Sequence, residues 1–400
     1  MKKLIHTVTV LVAIGALASS CVKGVDNNPD NASSAVKIGI YYGKPGSSRA
    51  VGDAISGSAT RSPLVSGHIF FYNSATGLID KHVGLNEETI TPNESISDLE
   101  DDRVVVVGVD GNADRCMIIF NDNDIVTASM VGRSIADVKN LVILTSAMND
   151  DDGGIASVPL KGDAGITSAS GTNGQGESYT REVVMDVTAM GTRLQVGGIA
   201  AGVYTPAGGG AAVTITAFTV EGVFVNHTHS EMTVDRLTAG VPQVDYMQDV
   251  SKYVSPATPG SGYAVATVGE RLADIPADGA AVGSPLSVVP GDTRGRVWAY
   301  NLVPATVPHF IVRLSGIEYR EGDGEVKTLP GDKWLTVAAY HMTEGDTSIN
   351  EFLAGNVYML SNLVFDWSNL TDLPETQEGD VRVYVNVIPW LVNDIHWGDN

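Results

Sequence analysis

Two cysteines, a run of small residues ahead of one of them and an arginine in a Gly/Pro/Ser loop are the groups in this chain whose types and spacing suggest chemistry. Cys21 follows Ala18-Ser19-Ser20, and upstream lie Lys2-Lys3 and the largely apolar run Leu4 to Leu17. That run is too short, and too interrupted by His6, Thr7 and Thr9, for a stable transmembrane helix, so residues 1–20 read as a signal peptide. Its end resembles a bacterial lipobox, with Ala18 where leucine is usual and Leu17 one place further back. The expected reaction is acylation of Cys21; the alternative is plain cleavage near Ser20. Several acyl chains would anchor the protein firmly where one would hold it only marginally. With Cys21 acylated, Cys116 has no partner for a disulfide within the chain, and in Arg115-Cys116-Met117-Ile118-Ile119-Phe120 it reads as a small core residue.

The second reactive place is Gly43-Lys44-Pro45-Gly46-Ser47-Ser48-Arg49-Ala50. Such residues form exposed loop tips, where proteases act, so the Arg49–Ala50 bond is the expected cut. Arg61 is a second candidate. The plainer reading is an ordinary surface loop. No other constellation supports catalysis: Gly-x-Ser-x-Gly, Cys-x-x-Cys and His-Glu-x-x-His are absent from the sequence. His227 and His229 lack a third ligand nearby, and Asn149-Asp150-Asp151-Asp152 lacks the alternating oxygens of a calcium loop. Gly171 to Ser178 lacks the spacing and the Lys-Thr of a phosphate loop. We expect no enzyme activity, no cofactor and no metal.

The net charge of −22 argues against nucleic acid and anionic membrane surfaces as partners. With 44 glycines and little helical periodicity, 400 residues point to an all-β chain of two domains. Val36, Ile38, Ile40 and Tyr42 alternate with Ala35, Lys37, Gly39 and Tyr41, the pattern of a strand buried on one face. Placed between an acylated cysteine and a cleavable loop, this strand suggests a plug removed after folding. Residues 21–49 are then a lipidated propeptide, with a polar tether to Ser34 and the removable strand over 35–42.

A first domain over 50–178 carries expected strands at Val65–Tyr72, Leu78–Val83, Val104–Val107 and Arg115–Asn121. It also holds the clearest helix, Gly132 to Leu141, with Ser134 as cap and Asp137 completing a capping box. The Gly-rich stretch to Ser178 reads as the linker. A second domain over 179–400 then opens with Arg181–Thr188 and Arg193–Ile199, passes a Pro/Gly-rich excursion at 236–295, and ends in strands spaced as in a sandwich.

Read together, these stretches resemble the fimbrillins of the Bacteroidales, the type V pilins. The resemblance rests on the order of four weak motifs: the leader Ala35-Val36-Lys37-Ile38-Gly39-Ile40 with its Ser-Ser-Arg49-Ala50 loop; Arg115 to Leu144; Thr180 to Thr188; and Val381-Arg382-Val383-Tyr384-Val385-Asn386-Val387-Ile388-Pro389-Trp390. It implies two transthyretin-like Greek-key β-sandwich domains, export as an outer-membrane lipoprotein, and cleavage by an arginine-specific surface protease. It further implies polymerisation with identical or related pilin subunits into an extracellular fimbrium that supports adhesion. The 236–295 excursion, the shifted lipobox and Arg61 depart from the family's pattern.

On this reading the vacated place of 35–42 takes a donor strand from 381–397. Val381, Val383, Val385 and Val387 form its apolar face, Pro389 interrupts it, and Trp390, Leu391, Ile395 and Trp397 follow. Four buried valines contribute roughly 6–12 kcal/mol gross, at about 1.5–3 kcal/mol each. In the uncut precursor the segment is expected to fold back partly as a last hairpin of its own domain. The alternatives are a tip or accessory pilin whose 236–295 region binds host protein or glycan, and a surface lipoprotein that never polymerises.

Overall fold

A computed structural model describes residues 34–42, 61–62, 64, 66–86, 104–149, 158–173, 176–196, 198–235, 248–253, 266–267, 298–343, 345–360, 363–376, 380–389 and 391–392. Cys21, Arg49, Ala50, Trp390, Ile395, Trp397, Asp150–Asp152 and most of 236–295 lie outside these residues, and of Ile40, Tyr42, Arg61 and Leu391 only the backbone is described.

The first unit is one seven-stranded sheet. Its strands are β1 (Ser34–Tyr42), β2 (Ser66–Tyr72), β3 (Ile79–Asn86), β4 (Val105–Val109), β5 (Arg115–Phe120), β7 (Leu160–Thr172) and β8 (Ser178–Ala189), with α1 (Ile135–Lys139) and the short β6 (Val142–Leu144) between β5 and β7. The order across the sheet is β3-β2-β5-β7-β8-β1-β4. Ile69, Phe71, Cys116, Ile118 and Phe120 share a core with Val36, Ile38, Val106, Val183 and Met185, so strands from both halves of the sheet line one continuous core. The alternate residues Phe70, Tyr72, Met117 and Ile119 pack on the opposite side against Ile135, Val138, Met148 and Met190. Burial on both faces is why β2 over 69–72 and β5 over 116–120 do not alternate with polar residues.

The helix is shorter than its expected span but carries the expected cap. Ser134 Oγ accepts from the Ala136 N–H at 3.2 Å and Asp137 Oδ2 from the Ser134 N–H at 3.3 Å, with Ile135 and Val138 buried. Cys116 is fully buried, and burial pushes its thiol pKa well up, as for an inert core residue.

The stretch expected to link two domains is a hairpin turn. β7 and β8 pair across it from Leu160↔Ala189 to Thr172↔Ser178, and Asn173 Oδ1 accepts from the Glu177 N–H at 2.9 Å. β8 therefore belongs to the first sheet, and that sheet runs to Ala189 instead of ending at 178. Glycine and short polar side chains serve tight turns as well as linkers, and only the pairing on either side separates the two.

The second unit contains β9 (Thr192–Val196), β10 (Ile199–Ala201), β11 (Val213–Asn226), β12 (Glu231–Thr233), β13 (Trp298–Leu302), β14 (His309–Glu321), β15 (Lys333–Met342), β16 (Asn356–Leu360), β17 (Leu363–Phe365) and β18 (Asp380–Pro389). Its main sheet runs β11-β14-β15-β18-β16-β9-β13, with Val203–Tyr204 at the β11 edge, and β10 pairs β17 separately. The core beneath collects Leu194, Phe218, Val312, Leu335, Phe365, Val381, Val383 and Val385.

The two units are tied together. β12 pairs β6, Val357 joins the core of the first sheet, and Asn149 and Asn301 exchange hydrogen bonds of 2.8 and 2.9 Å. Arg193, 1% exposed, donates to Asn301 Oδ1 at 2.8 Å and Gln195 Oε1 at 2.7 Å, so its buried charge is met at this junction.

Candidate functional site

β1 is an interior strand. It runs parallel to β8, from Val36↔Arg181 to Tyr42↔Val187, and antiparallel to β4 at Val36↔Val106 and Lys37↔Val105. A register break between Ser34 and Val36 is matched on β4 by Gly108, whose φ of +76° is left-handed. Val36 and Ile38 are each 0% exposed, and the Ile38 N–H donates to the Val104 carbonyl at 3.1 Å. Withdrawing β1 would open these two seats to water, at about 1.5–3 kcal/mol per side chain, and leave two ladders unpaired.

Arg181 marks one end of this seat. Its Nε donates to Ser34 Oγ at 2.5 Å, while Nη1 and Nη2 donate to the carbonyls of Ala113 at 2.7 Å and Asp110 at 2.8 Å. Burial lowers the Arg181 pKa, and the carboxylates of Asp110 and Asp80 oppose that shift. Beside it, Lys37 Nζ lies 3.8 Å from Glu182 Oε1 and 5.5 Å from the centre of the Tyr179 ring. The side chain most tied into this seat, Arg181, was not singled out as functional in the sequence, because nothing local says which carbonyls it meets.

The expected donor segment also occupies an interior seat. β18 runs parallel to β15, Tyr340↔Val383 and Met342↔Val385, and antiparallel to β16, Tyr358↔Val387 and Asn356↔Pro389. Val381, Val383 and Val385 are buried and Val387 half-buried, with Arg382, Tyr384 and Asn386 on the outer face. Arg382 Nε donates to His341 Nε2 at 2.7 Å. The fold-back is therefore more complete than the expected partial hairpin: strands flank β18 on both sides. Past Pro389 the chain changes partner, and Leu391–Val392 pairs in parallel with Arg61–Ser62. The alternative cut site thus lies in a backbone ladder.

His227 and His229 lie beyond the end of β11 and do not share a strand face. The strand alternation stops at Asn226, His227 adopts φ +58°, and its ring stacks on His309 at 4.3 Å. His309 Nδ1 lies 2.9 Å from Glu375 Oε1, and the buried Glu375 carboxylate also accepts from Asn226 Nδ2 at 2.9 and 3.0 Å. Among the described residues no group of three or more His, Cys, Asp or Glu side chains is arranged to hold a metal ion.

A second histidine pair was not anticipated. The Met130 N–H donates to His82 Nδ1 at 3.3 Å, so His82 Nε2 carries the proton and donates to His68 Nδ1 at 2.9 Å; His68 Nε2 faces Asp122 Oδ2 at 3.6 Å. Burial, then the neighbouring His68, pushes His82 down to about 4.

No family model matches the sequence, and no curated protein is similar to it. Solved structures are similar in fold. A candidate cell adhesion protein from Parabacteroides distasonis aligns over 90% of this chain and 99% of its own, with TM-score 0.51 and 11% identity. The fimbrilin FimA from Porphyromonas gingivalis aligns over 90% and 99%, with TM-score 0.47 and 13% identity. The tip fimbrial protein Mfa3 of the same organism aligns over 90% and 100%, with TM-score 0.41 and 8% identity. At 11% identity, the first of these is a likeness of fold.

Proposed function

We propose that this protein is a structural subunit of a cell-surface fimbrium, exported as a lipoprotein on Cys21, cut at Arg49–Ala50, and assembled by exchange of β1 for a strand of another copy. The observation that carries the reading is the place of β1: an interior strand at the N-terminal end of the described fold. A cut between Tyr42 and Arg61 detaches β1 while leaving every later described element in one chain. The same cut separates the subunit from Cys21. An open seat with an apolar floor and two unpaired ladders invites another strand.

The donor is the C-terminal segment, and its energetics follow from its own seat. Val381, Val383 and Val385 already bury in β18 about what they would bury in place of β1. Transfer of β18 alone therefore moves a vacancy without filling one. A surplus then requires Trp390, Leu391, Ile395 and Trp397 beyond Pro389 to bury more in the acceptor than in their own chain, at roughly 1.5–3 kcal/mol for each one newly buried.

Full-length protein treated with an arginine-specific protease should give a chain starting at Ala50 that forms heat-labile ladders on a gel. A chain cut at Ala50 that stays monomeric contradicts the reading. The closed seat of β18 favours a second reading, a tip or accessory subunit that accepts a strand without donating one, with 236–295 contacting host protein or glycan. Removing residues 390–400 separates the two: a stalk subunit stops polymerising, and a tip subunit is incorporated as before.

A further inference from the structure

β1 and β18 have the same surroundings. Each runs parallel to one neighbour and antiparallel to the other. Each also places a cation between two buried β-branched residues, Val36-Lys37-Ile38 in one and Val381-Arg382-Val383 in the other. In the β1 seat that cation meets a receiver on β8, the Glu182 carboxylate and the Tyr179 ring. Arg181 is different, because its bonds to the Asp110 and Ala113 carbonyls do not depend on β1.

Resting on the strand-exchange reading, we infer that β18 of a second copy enters parallel to β8, with Val381, Val383 and Val385 in the places of Val36, Ile38 and Ile40, and that Glu182 and Tyr179 fix this register by receiving Arg382 where Lys37 was. A guanidinium suits both receivers: it meets a carboxylate with two parallel N–H groups and stacks on an aromatic face. Tyr384 then takes the place of Gly39, whose partner on β8 is Val184. In their present seats Val184 is 41% and Tyr384 45% exposed, and exchange lays one over the other.

The competing registers fail on named residues. A slip of one residue drives Arg382 into the core. A slip of two sets Asp380 or Tyr384 opposite Glu182, the first a like-charge pair and the second without charge. Run antiparallel, Arg382 reaches Glu182 only if Gly379 falls at the place of Ile40, so the strand brings two valines to that face in place of three.

The test is a charge-reversal cycle in the full-length chain, read as the rate of ladder formation after cleavage by the arginine-specific protease. Glu182→Lys and Arg382→Glu should each slow assembly roughly three- to tenfold, and the double variant should recover most of the wild-type rate. Arg382→Lys, which keeps the charge, should stay near wild type and controls for the lost bond to His341. Singles that assemble at the wild-type rate, or a double variant no faster than either single, overturn the register. A wild-type chain that is cut and never assembles overturns the exchange reading itself. A second measurement does not depend on the stability of the charge variants: cleaved Val184→Cys and Tyr384→Cys chains are mixed and treated with a short bismaleimide. A cross-link between the new cysteines at 184 and 384 supports the register, and a cross-link confined to other pairs refutes it.

Discussion

Replacing Ile38 by alanine probes the seat of β1 before and after cleavage with one substitution. Ile38 is 0% exposed within the core of the first sheet. Truncating a buried Ile to Ala costs about 2–5 kcal/mol, the lost transfer energy plus the cavity left behind. In the uncut chain that loss falls on folding stability, and a urea titration of the full-length variant should show a lowered midpoint with an unchanged slope. In the cut chain the same loss falls on retention of β1, which should leave roughly 30-fold to several-thousand-fold faster, as followed by mass spectrometry of the fragment separating from the body. Once β1 has gone, variant and wild type are the same molecule from Ala50 onward and must unfold at the same urea concentration. A difference that persists after the fragment is removed would refute the reasoning, as would an uncut variant as stable as wild type.

Acid should loosen the first sheet through the histidine pair. The His82 pKa is lowered to about 4 by burial and then by His68, from an unfolded value near 6.5, so folding disfavours its protonation. That contribution is fully present above about pH 6.5 and is lost as pH falls towards 4; urea midpoints across this range should drop more steeply for wild type than for His82→Gln. Gly162→Ala should destabilise by about 1–3 kcal/mol, since the added Cβ would meet Met185 Sδ at 2.8 Å and the Asp186 carbonyl at 2.9 Å; thermal unfolding reads it directly. Ser134→Ala should cost about 0.5–2 kcal/mol through loss of the helix cap, measurable in urea. Removing residues 390–400 takes away the short pairing of Leu391–Val392 with Arg61–Ser62 but leaves β18 both its neighbours, so the uncut chain should still unfold cooperatively with a modestly lowered melting temperature, while ladder formation is abolished.

What the sequence made legible was whatever a short window contains. The alternation at Val36, Ile38 and Ile40, the apolar runs of β2 and β5, and the Ser134-to-Asp137 capping box depend on residues within a few positions of one another. What was not legible depends on pairing across long separations. The turn at 173–177 has a linker's composition and is a turn only because β7 and β8 pair on either side of it. β18 has the alternation of any half-buried strand, and its interior seat is set by β15 and β16, which its own residues do not encode. Arg181, Glu375 and the His68–His82 pair were missed for the same reason: each acquires its role from partners between 14 and 149 positions away. His227 and His229 follow the end of β11 at Asn226, and the left-handed backbone at His227, which ends the strand's alternation, is not visible in their spacing.

Assembly by strand exchange requires the seat of β1 to be emptied and then refilled from another copy. Intact-mass and peptide mass spectrometry of protein recovered from cell-surface fibres tests this most directly. The account predicts subunits that begin at Ala50, with no peptide from 34–42 present in the fibres. Fibres whose subunits still carry 34–42 in stoichiometric amount would contradict it.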